Sequence, residues 1–197
     1  MRLFLFITTI IFISCSGGNK ERQPIQLPTL PPVVDTPSKK GFLPVTDMLK
    51  GQLYELKKTG KSAIKYTIKN GVTDSVWLKA GQEEKELEEF FKPVIDSASM
   101  SAFFTETTFL DQTLEAYTFS YEPVKQLPDT IPFNNWVIYL DQTTQKLKRI
   151  YLVKKGTGNT TLQLTWVANK WAKIVTIAKN SGGDETVEKE TRISWDY

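Results

Sequence analysis

Histidine is absent from the 197 residues, and cysteine occurs once, at Cys15. Without imidazole there is no Ser–His or Cys–His nucleophile pair, no His-bearing zinc site and no histidine-ligated haem. A lone thiol cannot close a disulfide within the chain, so the fold must hold through its core alone. Excess charge is also missing. The 25 Lys and Arg against 22 Asp and Glu leave a net +3, with the signs interspersed, and that balance offers no footprint for nucleic acid. No Asp-x-Asp-x-Asp-Gly loop is present for calcium. The longest apolar run, residues 3–13, falls short of the ~20 residues that a membrane-spanning helix requires. These absences leave carboxylate or Ser/Lys chemistry open, but no catalytic residue, metal site or cofactor is assigned.

Apolar material is plentiful: 40% of residues are hydrophobic and 12% aromatic, enough for a packed core. The chain starts with Arg2, the apolar run broken only by Thr8 and Thr9, and small Ser14 before Cys15. That order is the pattern of an export signal. The tetrad Phe12-Ile13-Ser14-Cys15 resembles the lipobox of bacterial lipoproteins, with Phe12 where that family usually has Leu. The resemblance implies cleavage after residue 14, acylation of Cys15 and a membrane anchor. Several acyl chains at ~0.8 kcal/mol per buried CH₂ would make that anchor durable. In that family Asp after the cysteine favours inner-membrane retention, so Ser16 points to the outer membrane of a bacterial cell envelope. Residues 15–44 then read as a tether, since they hold six of the ten prolines. Fully extended, it would reach roughly 90 Å.

Residues 45–197 read as one α+β domain: two helices packed on a long, curved antiparallel sheet of about seven to nine strands in a meander. Val45, Met48, Leu49, Leu53 and Leu56 keep helical spacing over 46–58. Alternating runs 64–69 and 72–78 flank Asn70-Gly71, the pair that suits a type I′ hairpin turn. A second helix is expected after Gly81, with Leu87, Phe90, Phe91, Val94 and Ile95 on one face and a kink at Pro93. Strands follow near 102–110, 113–122, 135–141, 146–154, 160–167, 170–178 and 186–195. Within 136–140, 147–153 and 171–178 apolar residues occupy both alternating registers, Ile150 and Leu152 in one and Leu147, Tyr151 and Val153 in the other. Strands buried on both faces would produce that pattern.

Candidate chemistry is sparse. Ser62-Ala63-Ile64-Lys65 and Lys58-Thr59-Gly60 are similar to motifs of penicillin-recognising enzymes, but their order is reversed and no Ser-Asp-Asn accompanies them. The acids at 83, 84, 86, 88 and 89 offer paired carboxylates, or else a solvated face at the positive end of a helix dipole. Tyr117, Phe119 and Tyr121 form an aromatic stripe at period two, a candidate ligand-stacking face, though a core face is the better reading. Asp129-Thr130-Ile131, between Pro128 and Pro132, resembles the sequon at which some envelope-dwelling bacteria O-glycosylate exported proteins, which marks Thr130.

The C-terminal pattern Gln163-Leu164-Thr165-Trp166, Lys170-Trp171 and Ser194-Trp195-Asp196-Tyr197 resembles that of uncharacterised exported bacterial lipoproteins, whose likeness implies no activity. The expectation is a non-catalytic, lipid-anchored envelope module that binds a partner protein or an apolar ligand. One form of it is similar to periplasmic carriers of lipids or lipoproteins. The alternatives are an envelope hydrolase using carboxylate or Ser chemistry, and an accessory subunit of an outer-membrane assembly.

Overall fold

Asn70 and Gly71 both take positive φ, 51° and 76°, the backbone that a type I′ turn demands. They join β1 (Ala63–Lys69) to β2 (Val72–Leu78) in the hairpin that their sequence predicts. The computed structural model describes residues 41–196. Cys15, the proline-rich stretch as far as residue 40 and Tyr197 lie outside the described residues.

Helix α1 (Val45–Lys58) buries Val45, Thr46, Leu49, Leu53 and Leu56 on one side, as the spacing predicts. Thr59 and Gly60 end it: the Thr59 hydroxyl donates to the Leu56 carbonyl at 2.6 Å, and Gly60 turns left-handed at φ 67°. The second long helix does not form. Its residues are divided among α2 (Gln82–Glu86), α3 (Glu88–Phe91) and α4 (Ser97–Met100). Leu87, at φ −105°, interrupts the helix before Pro93 is reached. Pro93 has no N–H to give the Glu89 carbonyl, and a side chain from the sheet supplies the missing donor, as described below. The described residues are therefore mostly β, with α1 as the one helix of more than two turns among them.

Strands β3 (Phe104–Asp111), β4 (Ala116–Pro123), β5 (Phe133–Asp141), β6 (Leu147–Lys155), β7 (Thr160–Val167), β8 (Trp171–Lys179) and β9 (Glu185–Ser194) form an antiparallel meander. The β1–β2 hairpin adds to the far side of β9, which gives one nine-stranded sheet in the order β2-β1-β9-β8-β7-β6-β5-β4-β3. β2 and β3 are its two edges, and no pairing between them closes it.

Pleating sends alternate side chains to opposite faces, and directly paired residues share a face. The inner face carries Tyr121, Trp136, Leu152 and Leu164 in one register, with Phe119, Ile138, Ile150, Trp166, Ala172 and Ile193 in the next. These join Leu49, Leu53, Leu87, Phe90 and Ile95 from the helical segments in a single core. Trp136 sits in an aromatic cage: Tyr121 stacks on it at 4.8 Å, with Phe104 at 4.5 Å and Phe133 at 6.0 Å. Trp166 meets Phe90 edge-on at 5.5 Å and Trp195 at 5.8 Å.

The expectation of strands buried on both faces needs correction. Tyr139, Tyr151, Val153, Trp171 and Val175 lie on the outer face and are only half-buried, because no described element covers them. Leu147 does not share that face. A register shift in the β5–β6 pair sets it opposite Leu140, and it is buried.

Candidate functional site

The acidic run after Gly81 does not converge on a site. Glu83 is buried, and its carboxylate accepts from the Gly81 backbone N–H at 2.9 Å, which closes the start of α2. Glu84 pairs with Lys57 of α1 at 2.9 Å, and Glu86 with Lys65 of β1 at 2.7 Å. Glu88 pairs with Lys92, whose hydrogen bond and charge hold its carboxyl below the usual range. Glu89 pairs with Lys154 at 2.6 Å. Five acids thus have five separate partners, and glycosidase-like acid/base work needs two carboxylates facing one bond. Lys65 of the Ser-x-x-Lys spacing is held by Glu86. Among the described residues, no cluster of three metal-ligating side chains occurs.

Among the described residues Lys154 is the buried cation, with its side chain 5% exposed. It projects from β6 on the inner face, and its ammonium donates to the carbonyls of Glu89 at 2.7 Å and Lys92 at 2.8 Å. The Glu89 carbonyl is the acceptor that Pro93 leaves without a helical partner. With the Glu89 carboxylate, Lys154 has three acceptors for its three protons, so its burial is compensated. Beside it lies a cleft of about 630 Å³ lined by Glu86, Glu89, Lys155, Thr160, Thr176 and Lys189 among others. Its charges are mixed.

The aromatic stripe of β4 faces inward. Tyr121 is fully buried and Phe119 packs against the core, while Tyr117, at the end of the row, is 37% exposed. Burial, with Glu106 nearby, raises the Tyr121 phenol far above its usual range. Its oxygen accepts from the Leu43 backbone N–H at 3.3 Å, and Phe42 meets its ring edge-on at 5.0 Å. The chain's own Phe42 and Leu43 therefore occupy the place a ligand would need at Tyr121. Thr130 is exposed in a turn between β4 and β5, with Ile131 N–H bonded to the Pro128 carbonyl at 3.0 Å.

The outer face is different. One register row crosses all nine strands as Trp77, Ile64, Ser194, Trp171, Val167, Arg149, Tyr139, Thr118 and Phe109. The next row holds Tyr66, Arg192, Lys173, Thr165, Tyr151 and Val137, and a third holds Ile68, Glu190, Val175, Gln163 and Val153. Six aromatic rings thus stand on a face that no described helix covers: Tyr66, Trp77, Phe109, Tyr139, Tyr151 and Trp171. Trp77 is 56% and Phe109 50% exposed. The three rows carry three basic residues, Arg149, Lys173 and Arg192, against one acid, Glu190. The apolar second register of the central strands was the visible trace of this face in the sequence, but it does not say whether anything covers it.

The described residues form a mostly β module whose helices pack on one face of the sheet. No family model, curated protein or solved structure matches the chain.

Proposed function

We propose that the chain is a non-catalytic, lipid-anchored module of the bacterial cell envelope that docks an acidic partner protein on the outer face of its sheet. The observation that carries this reading is the three rows across the middle of that face, with aromatic rings and three basic residues against one acid. Large exposed apolar patches mark interaction sites, and Tyr, Trp and Arg are the residues that concentrate binding energy in them. An acidic partner is favoured because its charge complements the rows.

The partner-binding form is preferred to the apolar-ligand carrier because α1 and the side chains of Trp136, Trp166, Phe90 and Leu164 fill the inner face. It is preferred to a hydrolase because four of the acids that would act are tied to four separate cations and Glu83 to a backbone N–H. The lipid anchor is supported by the sequence around Cys15, which resembles a lipobox. Consistent with an anchor of that kind, no helix among the described residues is long and apolar enough to cross a membrane, which leaves strand-built crossings unaddressed. The curved-sheet form of the fold, with its helices seated inside the bend, also belongs to this proposal.

A photo-crosslinking residue at Tyr139 or Tyr151 in intact cells is expected to give a discrete adduct. The same residue at Lys50, exposed on α1, is expected to give none. Equal adducts from both positions, or none from the outer face, would overturn the docking face. An adduct containing an outer-membrane protein would identify the accessory-subunit form. The anchor is read separately: Cys15→Ala is expected to leave an unprocessed or soluble species, and a variant that still fractionates with membranes after alkaline wash refutes lipidation.

A further inference from the structure

Arg192 of β9 has no ion pair and no hydrogen bond among the described residues, although its Nε is buried. Its guanidinium lies 5.2 Å over the ring of Trp171. Cross-strand neighbours flank it, Tyr66 on β1 and Lys173 on β8, and Lys173 is engaged with Glu190 at 3.5 Å. A depression of about 230 Å³ opens beside it, lined by Tyr66, Ile68, Thr73, Glu190 and Arg192.

An arginine on a half-buried sheet face normally spends its fork of donors on a carboxylate or a carbonyl. Glu190 is near enough to share the depression, yet it pairs with Lys173 instead. The arrangement leaves one cation uncompensated, over an aromatic ring, at the edge of a hollow lined in part by Tyr66 and Ile68. From it we infer that Arg192 and Trp171 form a carboxylate seat, and that the hollow takes an Asp or Glu side chain of an extended acidic segment. The planar guanidinium matches a carboxylate with two parallel hydrogen bonds, which an ammonium cannot do. The cation–π contact with Trp171 restrains the guanidinium before the ligand arrives, so less side-chain freedom is lost on binding. The aliphatic stem of the incoming residue lies against Ile68 and Tyr66. This inference rests on the outer face being the docking face, and it names the chemistry recognised there.

The test uses the full chain in detergent, labelled with ¹⁵N-arginine, and two blocked peptides, hexaglutamate and hexaglutamine, at fixed ionic strength. Hexaglutamate is expected to shift the Arg192 Nε–H signal in a saturable way, and hexaglutamine to leave it in place. Arg192→Gln identifies the resonance by removing it. Followed by tryptophan fluorescence, the same variant is expected to weaken peptide binding at least tenfold with an unchanged melting temperature. Arg192→Lys keeps the charge, so it separates the two contributions. A loss close to that of Arg192→Gln supports the fork, and full retention would show that charge alone is read and overturn the seat. Trp171→Leu is expected to weaken binding about threefold. A shift that is linear in peptide, or equalled by inorganic phosphate at the same concentration, also refutes a carboxylate seat. Failure here is distinct from failure of the docking face, because the cross-linking positions Tyr139 and Tyr151 do not include Arg192.

Discussion

Trp166→Ala is expected to remove about 3–5 kcal/mol of stability, the scale for truncating a buried aromatic residue. Trp166 is completely buried and lies where three parts of the chain meet. Cross-strand it is paired with Ile150 and Ala172, Phe90 of α3 meets it edge-on at 5.5 Å, and Trp195 after β9 lies 5.8 Å away. Truncation therefore empties space that a β-strand, a helix and the C-terminal segment all border, and no single one of them can collapse into it. Against a total of about 5–15 kcal/mol for a typical domain, such a loss shifts the denaturation midpoint far. Trp166→Phe sharpens the test. The indole Nε–H is buried and makes no hydrogen bond among the described residues, so phenylalanine loses volume but also removes an orphaned donor. Its expected cost is less than half that of alanine. Equilibrium urea unfolding measures both, with an unchanged slope as the sign that the native state alone is affected. Equal costs for the two variants would mean that the indole N–H is satisfied in solution and that the packing account is incomplete.

Local chemistry made much of this fold legible. Asn70-Gly71 announced its hairpin because two positive φ values are cheap only for such residues. Several meander strands were readable because short turns with Asn, Asp or Gly separate β6 from β7, β7 from β8 and β8 from β9, and β7 falls on the expected residues 160–167. What the sequence could not show is the set of facts that depend on distant partners. The addition of the β1–β2 hairpin to β9 joins residues more than a hundred positions apart, and no local pattern encodes it. Period two put Tyr117, Phe119 and Tyr121 on one face, yet only their pairing opposite Leu140, Ile138 and Trp136 says that the face is the core. The same ambiguity hid the outer face: Tyr151 and Val153 were as apolar as a buried register, and their half-exposure follows from where the few helices sit. Of the site now proposed, Trp171 was visible as part of a C-terminal pattern, while Arg192 carried no signal at all. Its significance lies in the absence of a partner, which only a folded arrangement can reveal.

The broken second helix teaches the same lesson in energetic terms, and it carries the other large expectation. Apolar spacing from Leu87 to Ile95 fits a helix, and the acids at its start favour one, but Pro93 removes a donor and obstructs the carbonyl one turn back. A helix continued through that point would strand the Glu89 carbonyl away from water. The chain instead stops α3 at Phe91 and turns the carbonyls of Glu89 and Lys92 toward Lys154, which supplies both hydrogen bonds. On the far side of Pro93, the Ile95 N–H donates to the buried Thr46 hydroxyl of α1 at 2.9 Å and returns the segment to the core. Lys154→Met keeps the length of the side chain and deletes the donors, so it is expected to cost about 2–4 kcal/mol, at ~1–3 kcal/mol for each orphaned buried acceptor. Glu89→Gln should cost well under 1 kcal/mol, because that carboxylate is half-exposed and the ammonium keeps its two carbonyl partners. The loss in Lys154→Met should also be local. Hydrogen exchange is expected to quicken across 82–100 while β7 and β8 stay protected, since opening a segment costs less than opening the sheet. If Glu89→Gln proves as damaging as Lys154→Met, the ion pair rather than the pair of carbonyls holds the segment. The account of why the helix breaks would then have to be rebuilt around charge.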